Sequence, residues 1–235
     1  MSGHFFPAVS AALLASVLAG PAQAQAPAQA PAPAQAPAAA PAPAQRPPTE
    51  TIKVEGTDNV YIWRNVNHQA MFVVTKDGVI ATDPVAYGRP TGGQQYLDAI
   101  KKVTDKPVKY LIYSHHHLDH IAGGKAFKDA GAKVIAHKRA TERLKALKDA
   151  NTVVPDESVS DRGRTIKLGG TTLQLAYTGR NHSDSSLVMF LPKEKIIFAV
   201  DFNSLGSVPS RLAVNDSYPI EWEASLKRTL ATGTA

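Results

Sequence analysis

The sequence contains no cysteine among its 235 residues. This absence excludes a disulfide framework, a thiolate metal site and a cysteine nucleophile. The first 45 residues also lack Lys, Arg, Asp and Glu, so all 26 basic and 20 acidic side chains follow Gln45. The chain therefore divides into an uncharged head and a charged body.

The head has the pattern of an export signal followed by a tether. Residues 8–19 are apolar, and Ala22-Gln23-Ala24 follows with the small-x-small pattern of a cleavage site. The apolar run is too short to span a bilayer. We predict a signal peptide over residues 1–24 and an Ala/Pro-rich disordered linker over 25–48, because repeated Ala-Pro disfavours helix and buries nothing. A periplasmic or secreted location follows.

The body, residues 49–235, has the length of one domain. The net charge is +6 and the sequence pI is about 9.4, but the basic residues are scattered apart from one concentration between residues 138 and 148. A solvated helix face explains that concentration better than a nucleic-acid footprint. We expect a small-molecule substrate, no nucleic-acid partner and no membrane span.

Hydrophobic patterning predicts hairpins mixed with β-α units, which is typical of an α+β domain in which helices cover sheets. The predicted strands are 51–63, 70–75, 79–82, 108–113, 133–136, 165–168, 171–176, 186–191 and 195–200. The predicted helices are 91–104, 121–130, 139–149 and 219–230.

Four of the eight histidines fall within six residues, directly after the predicted strand 108–113. In an extended segment, side chains two residues apart share a face, so His115, His117 and Asp119 project together. The turn into the next helix brings in His120. Imidazole and carboxylate are ligands of zinc, iron or manganese, so the segment predicts a metal site.

The segment YSHHHLDHIAGG resembles the H-x-H-x-D-H signature of the metallo-β-lactamase superfamily. Three further motifs resemble that family in the same order: Asp83 in GVIATDP, His182 in TGRNHSDSSLVMFLP, and Asp201 in KIIFAVDFN. The resemblance extends over about residues 55–231. It implies an αββα sandwich with metals at one edge of the sheets.

The resemblance also implies a set of ligands. One metal would be held by His115, His117 and His182. A second would be held by Asp119 and His120, and Asp201 would bridge the two. Asp83 would orient a ligand imidazole. The remaining body histidines have other expected roles. We expect a wall or solvent-facing position for His116, and structural roles for His68 and His137.

One departure concerns the second metal. The family has a further histidine after the final helix, but no histidine follows His182 in this sequence. We therefore expect that the C-terminal metal-ligand segment of the family fold is truncated here, and that the second of two zinc sites is incomplete.

The implied chemistry is hydrolysis by a metal-bound hydroxide, with Asp119 as the catalytic residue that orients it and takes its proton. Asp201 stands where the lactamase branch has Cys or Ser, so the resemblance favours the other branches. The sequence predicts an exported zinc hydrolase of an ester, lactone, thioester or amide. The alternatives are a β-lactamase, a mononuclear iron oxygenase resembling persulfide dioxygenases, and a non-catalytic metal-binding module.

Overall fold

The computed structural model of the chain describes residues 47–150, 152–203 and 216–232. The predicted signal peptide and residues 25–46 of the predicted linker lie outside the described residues. In the described part, two runs of consecutive strands flank a central stretch in which strands and helices alternate. The strands are β1 (Thr49–Lys53), β2 (Val60–Asn65), β3 (His68–Val74), β4 (Val79–Thr82), β5 (Val108–Ile112), β6 (Lys133–His137), β7 (Glu157–Val159), β8 (Arg164–Leu168), β9 (Thr171–Ala176), β10 (Val188–Leu191) and β11 (Ile196–Phe198). The helices are α1 (Gly92–Val103), α2 (Leu118–Ile121), α3 (Gly124–Asp129), α4 (Lys138–Leu147) and α5 (Pro219–Thr232).

Strands β1 to β7 form a mixed sheet in sequence order. The strands β1 to β4 are antiparallel neighbours, whereas β4 to β7 run parallel. Parallel neighbours need crossover connections, which here contain α1, then α2 and α3, then α4. The carboxyl ends of β4 and β5 therefore lie side by side, and Thr82 pairs with Ile112 there.

Strands β8 to β11 form a second, antiparallel sheet. The turn between β8 and β9 consists of Gly169 and Gly170, with φ angles of 50° and 84°. Two-residue hairpin turns require positive φ, which glycine adopts without steric cost. Along β9, the side chains of Leu173 and Leu175 are buried, whereas those between them are less so. One face of this sheet therefore packs inward.

Three apolar clusters define four layers. The first cluster joins the outer face of the seven-stranded sheet to α1, α3 and α4. The second lies between the sheets, and the third joins β10 to α5 through Trp222. Strand β3 shows the division, because Phe72 belongs to the helix-side cluster and its neighbours Met71 and Val73 to the cluster between the sheets. This arrangement confirms the predicted α+β class and the αββα sandwich.

Two predicted elements are interrupted by glycine. The predicted strand 51–63 is a hairpin of β1 and β2, because Gly56 adopts a φ of 74° in the connection. The predicted helix 121–130 is divided between α2 and α3, and Gly123 between them has a φ of 92°. A Cβ on Gly123 would lie 2.6 Å from Cβ of Ala86, so the close approach also requires glycine. None of the described helices has the length and apolar character needed to cross a membrane.

Candidate metal centre

The histidine segment lies where the carboxyl ends of β4 and β5 meet. Ser114 to His117 connect β5 to α2, and His117 occupies the N-cap position of that helix. The backbone N–H groups of His120 and Ile121 donate to the carbonyl of His117, at 3.1 Å each. This turn places His120 on the same side as the preceding histidines, as the sequence predicts. Ligand sites at carboxyl ends of parallel strands are common in α/β sheets.

Asp83 follows β4 and is fully buried. Its Oδ1 accepts a hydrogen bond from the Ser114 backbone N–H at 2.7 Å. Its Oδ2 lies 3.5 Å from Nδ1 of His120. Asp83 therefore contacts both ends of the histidine segment, which is the supporting position expected from the sequence.

The first group of side chains comprises His115, His117 and His182, whose ligand atoms lie within 4.8 Å of one another. Nε2 of His182 is 2.9 Å from Nδ1 of His117. His115 is buried, and its Nδ1 lies 2.9 Å from Oγ of Ser114. This contact leaves Nε2 of His115 facing the cluster. The structure thus brings together the three histidines that the sequence predicts for one metal.

Asp201 lies between this group and the residues predicted for the second metal. Its Oδ2 is 2.9 Å from Nε2 of His120 and 3.4 Å from Nε2 of His182. The same oxygen is 3.7 Å from Nε2 of His115. Asp119 is close by, with Oδ2 3.6 Å from Nε2 of His120. A single carboxylate oxygen therefore reaches histidines of both predicted metal sites.

Two further residues, which the sequence analysis did not assign to the site, lie in the centre. Nε2 of His68 is 3.1 Å from Oδ2 of Asp119, although an isolated turn histidine indicated a structural role. Oδ1 of Asp216 is 2.9 Å from Nε2 of His117. No signal in the sequence pairs these residues with the histidine segment, since each comes from a distant connection.

The donors fit a metal because several buried ring nitrogens have no other partner. Among the described residues, no hydrogen-bond partner is found for Nε2 of His115, either ring nitrogen of His120, or Nδ1 of His182. Unpaired buried polar atoms are costly and uncommon in native proteins. Neutral imidazoles and carboxylates are established metal ligands. Cations at this cluster would satisfy Nε2 of His115 and Nε2 of His120, which both face Asp201.

The electrostatics also suit metal binding at neutral pH. Burial and the neighbouring imidazoles, His120 first, hold the pKa of His115 well below its usual value. Burial likewise lowers the pKa of His182. These two imidazoles are therefore neutral near pH 7, as a ligand must be. Burial opposes ionisation of Asp119, but the hydrogen bond to His68 and the charge of His120 outweigh it and lower its pKa.

His120 differs from the other histidines of the cluster. Burial disfavours its charged form, but the contacts with Asp201 and Asp83 outweigh burial and raise its pKa to about 10. In the absence of a metal, a proton on His120 compensates these two carboxylates. Metal binding at His120 would therefore release a proton, since the cation takes over that compensation.

The two other described histidines have protein partners. Nδ1 of His116 lies 3.0 Å from Oγ of Ser183 and 2.9 Å from Oγ of Ser185, which agrees with a wall position. His137 is fully buried and stacks on Tyr177, with ring centroids 4.5 Å apart. The stacked, buried ring has the structural role expected for His137.

The sequence matches the family model described as the metallo-beta-lactamase superfamily over residues 63–231. The chain therefore belongs to the metallo-β-lactamase superfamily, as its motifs predict. The matched region contains every predicted ligand and both residues that sequence reasoning missed.

Particular relatives and solved structures agree with this assignment. The chain is 26% identical to metallo-beta-lactamase type 2 of Elizabethkingia meningoseptica, over 76% of this chain and 73% of that protein. It is also 26% identical to 2,4-dinitroanisole O-demethylase subunit alpha of Nocardioides sp. (strain JS1661), over 65% of this chain. That match spans under half of the subunit, 46%.

The structure of the metallo-beta-lactamase from Pontibacter korlensis has the same fold. It superposes with a TM-score of 0.69 at 21% identity, covering 79% of this chain and 86% of that one.

The predicted enzyme class, a metal-dependent hydrolase of this superfamily, agrees with the family match.

Proposed function

We propose that this protein is a zinc-dependent hydrolase with a two-metal centre. The observation that carries the proposal is the position of Asp201, whose Oδ2 lies within 3.7 Å of ring nitrogens from both predicted sites. His115, His117 and His182 would hold one metal. Asp119 and His120 would hold the other, and Asp201 would bridge them. When bound, zinc would supply a nucleophilic hydroxide at neutral pH and polarise the scissile carbonyl.

Asp119 is the residue that we assign to proton transfer. Its carboxylate is ionised near pH 7, as a proton acceptor must be, although the lowered pKa makes it a weaker base than an ordinary Asp. Its side chain is 41% exposed, whereas that of Asp201 is 33% exposed. Asp119 is thus the more accessible of the two carboxylates to an entering substrate. Its Oδ2 lies 3.1 Å from Nε2 of His68, so Oδ1 is the oxygen left available.

We infer that the substrate is an ester, lactone, thioester or amide of a small molecule. The carboxylate at position 201 supports this choice, because the lactamase branch has Cys or Ser there. A β-lactam is the second candidate, and it is supported by the relatives named metallo-beta-lactamase type 2. Both are acyl substrates, so the same nucleophile and proton acceptor serve either. Pocket identity rather than fold decides between them.

We also propose that the protein is exported to the periplasm or secreted, on the strength of the apolar run 8–19 and the cleavage pattern at 22–24. The N-terminal sequence of the protein recovered outside the cytoplasm would test the predicted cleavage after Ala24. An intact N-terminus on protein recovered from the cytoplasm would contradict it.

The function is tested by metal content together with a substrate panel. Elemental analysis of the full chain after mild desalting should give about two zinc per chain. The panel should include a p-nitrophenyl ester, a lactone, a thioester and nitrocefin. Turnover of the first three without nitrocefin would support the proposal, and nitrocefin turnover alone would favour the β-lactamase. Bound iron with oxygen uptake would indicate the oxygenase, and metal without any turnover would indicate a binding module.

His117→Ala is the variant that tests the site. The ring of His117 lies 2.9 Å from that of His182, and His117 belongs to the first group of predicted ligands. We expect it to abolish metal-dependent hydrolysis. Gln94→Ala is the control, since Gln94 lies exposed on α1 and its side-chain amide donates to Asp98 one turn away. Full activity in His117→Ala would overturn the assignment of the site.

A further inference from the structure

His68 is the first residue of β3 and follows a tight turn. Asn65 and His68 are paired across the β2–β3 hairpin, so the turn consists of Val66 and Asn67. Val66 has a φ of 56°, the left-handed conformation that two-residue hairpin turns need. The register of the hairpin therefore places His68 at its tip, where β2 and β3 approach the histidine segment.

The ring of His68 faces the residues predicted for the second metal. Its Nε2 is 3.1 Å from Oδ2 of Asp119, and its centroid is 5.4 Å from that of His120. One ligand atom from each of these three residues lies within 4.8 Å of the others. The His68 ring is only 26% exposed. The three side chains thus converge on one small volume.

A second observation points to a cation in that volume. His120 is 1% exposed, and neither of its ring nitrogens has hydrogen-bond geometry with any partner in the described residues. Nε2 of His120 is nevertheless 2.9 Å from Oδ2 of Asp201. A short approach without hydrogen-bond geometry is expected when two ligands point at a common ion. Nδ1 of His68 is also buried without a partner in this part of the chain.

We propose that His68 is a ligand of the second metal, together with Asp119, His120 and the bridging Asp201. This inference rests on the proposed two-metal function. Three terminal donors of imidazole and carboxylate type, His68, Asp119 and His120, match the three protein ligands that catalytic zinc sites use. His68 would supply the donor that the histidine segment alone lacks.

The competing role for His68 is a hydrogen bond that only orients Asp119. The two roles make different demands on the side chain. A glutamine at position 68 is able to donate a hydrogen bond to the Asp119 carboxylate, but its amide is a much poorer zinc ligand than imidazole. His68→Gln therefore separates metal ligation from orientation, whereas His68→Ala removes both.

The test is a cobalt titration of the full chain, followed by absorption spectroscopy and by analysis of bound metal. We expect wild type to bind two cobalt ions. We expect His68→Ala and His68→Gln both to retain the first ion and to bind the second more than about 100-fold more weakly, since even outer-sphere changes cost about 10–100-fold. X-ray absorption of the zinc-loaded protein should show fewer imidazoles per metal in both variants.

Two controls accompany these variants. Gln69→Ala changes the exposed neighbour on β3 and should bind both ions as wild type does. His182→Ala removes a member of the first group and should weaken the first ion. Circular dichroism of each variant checks that the fold is retained.

Wild-type affinity for both ions in His68→Gln would overturn the assignment of His68 as a ligand and leave the two-metal function standing. Binding of no metal by wild type would overturn both proposals. Binding of a single ion by wild type, weakened by His182→Ala alone, would overturn the ligand role of His68 and the bridging role of Asp201.

Discussion

The carboxylate of Asp83 accepts a hydrogen bond from the backbone N–H of Ser114 across 2.7 Å. This bond joins the residue after β4 to the first residue of the histidine segment. Asp83 is fully buried and has a φ of 26°, a conformation that costs free energy for a residue with a side chain. The same carboxylate faces Nδ1 of His120 at 3.5 Å. One side chain thus positions both the segment and a predicted ligand.

Asp83→Asn should lower metal affinity about 10–100-fold, because it removes the negative charge that faces His120 while keeping nearly the same shape. Competition with a chromophoric chelator measures this affinity. The matched control is Asp77→Asn in the exposed β3–β4 turn. Equal affinities in the two variants would contradict the supporting role of Asp83.

Asp119→Asn should lower kcat by a factor of about 10² to 10⁴, the usual contribution of a positioned general base. The amide keeps an oxygen for the metal but is unable to accept the proton. Steady-state kinetics at saturating metal measure the effect, and metal analysis must show unchanged occupancy. A kcat within threefold of wild type would remove Asp119 from proton transfer.

The fold was predictable from the sequence because the hydrophobic pattern and the family motifs agree. The segment 79–82 becomes the fully buried strand β4, and 108–113 becomes its neighbour β5, in which Lys109 is exposed but Leu111 and Ile112 are buried. Boundaries were less predictable where a glycine adopts positive φ. At Gly123 the apolar pattern continues through the residue, so the turn is decided by backbone conformation rather than by patterning. At Gly56 the polar residues 55–59 do signal a turn, and the predicted strand 51–63 wrongly extended across them.

The candidate site was predictable where its members share a motif. His115, His117, Asp119 and His120 lie in one segment, so their proximity was predictable. The predicted extended geometry ends at His117, because Asp119 lies in α2 and groups with His120 and His68 rather than with His115 and His117. The contacts of His68 and Asp216 depend on how a distant hairpin and the segment before α5 meet that motif. Such contacts are set by tertiary packing, which neither residue spacing nor composition encodes.

His137 should make stability depend on pH. Burial, with the neighbouring Arg139, lowers its pKa to about 4, so between pH 4 and its ordinary value near 6.5 the unfolded chain binds the proton more readily. The contribution of His137 to the free energy of unfolding is therefore complete above about pH 6.5. It is lost as the pH drops towards 4, by up to about 3 kcal/mol.

Urea unfolding of the metal-free protein at pH 7 and pH 5 measures this dependence. His137→Phe keeps an aromatic ring against Tyr177 but does not titrate, so its stability should fall less over the same interval. Other groups titrate in both proteins, so their contributions cancel when the two pH dependences are subtracted. Parallel pH profiles would contradict the assignment to His137.

Gly93→Ala should destabilise the fold by roughly 1–3 kcal/mol, the usual cost of overpacking. A Cβ at this position on α1 would lie 2.5 Å from the carbonyl oxygen of Gly123, and backbone on both sides leaves little room to relax. Thermal unfolding measures the loss, with Gln94→Ala on the exposed face of α1 as control. Unchanged stability would show that α1 moves away freely.

The predicted ligands come from the two connections that follow β5 and β9, from the segment after β11 and, with His68, from the tip of the β2–β3 hairpin. Because His182, Asp201 and His68 join the histidine segment only when both sheets are in place, the native state binds a metal more tightly than the unfolded chain, which keeps only the ligands of that segment. By mass action, free metal then stabilises the native state by RT ln(1 + [metal]/Kd), about 2.7 kcal/mol at 100 times Kd. The melting temperature therefore rises with the concentration of free metal. A chelator lowers the melting temperature by removing free metal, without binding to the protein.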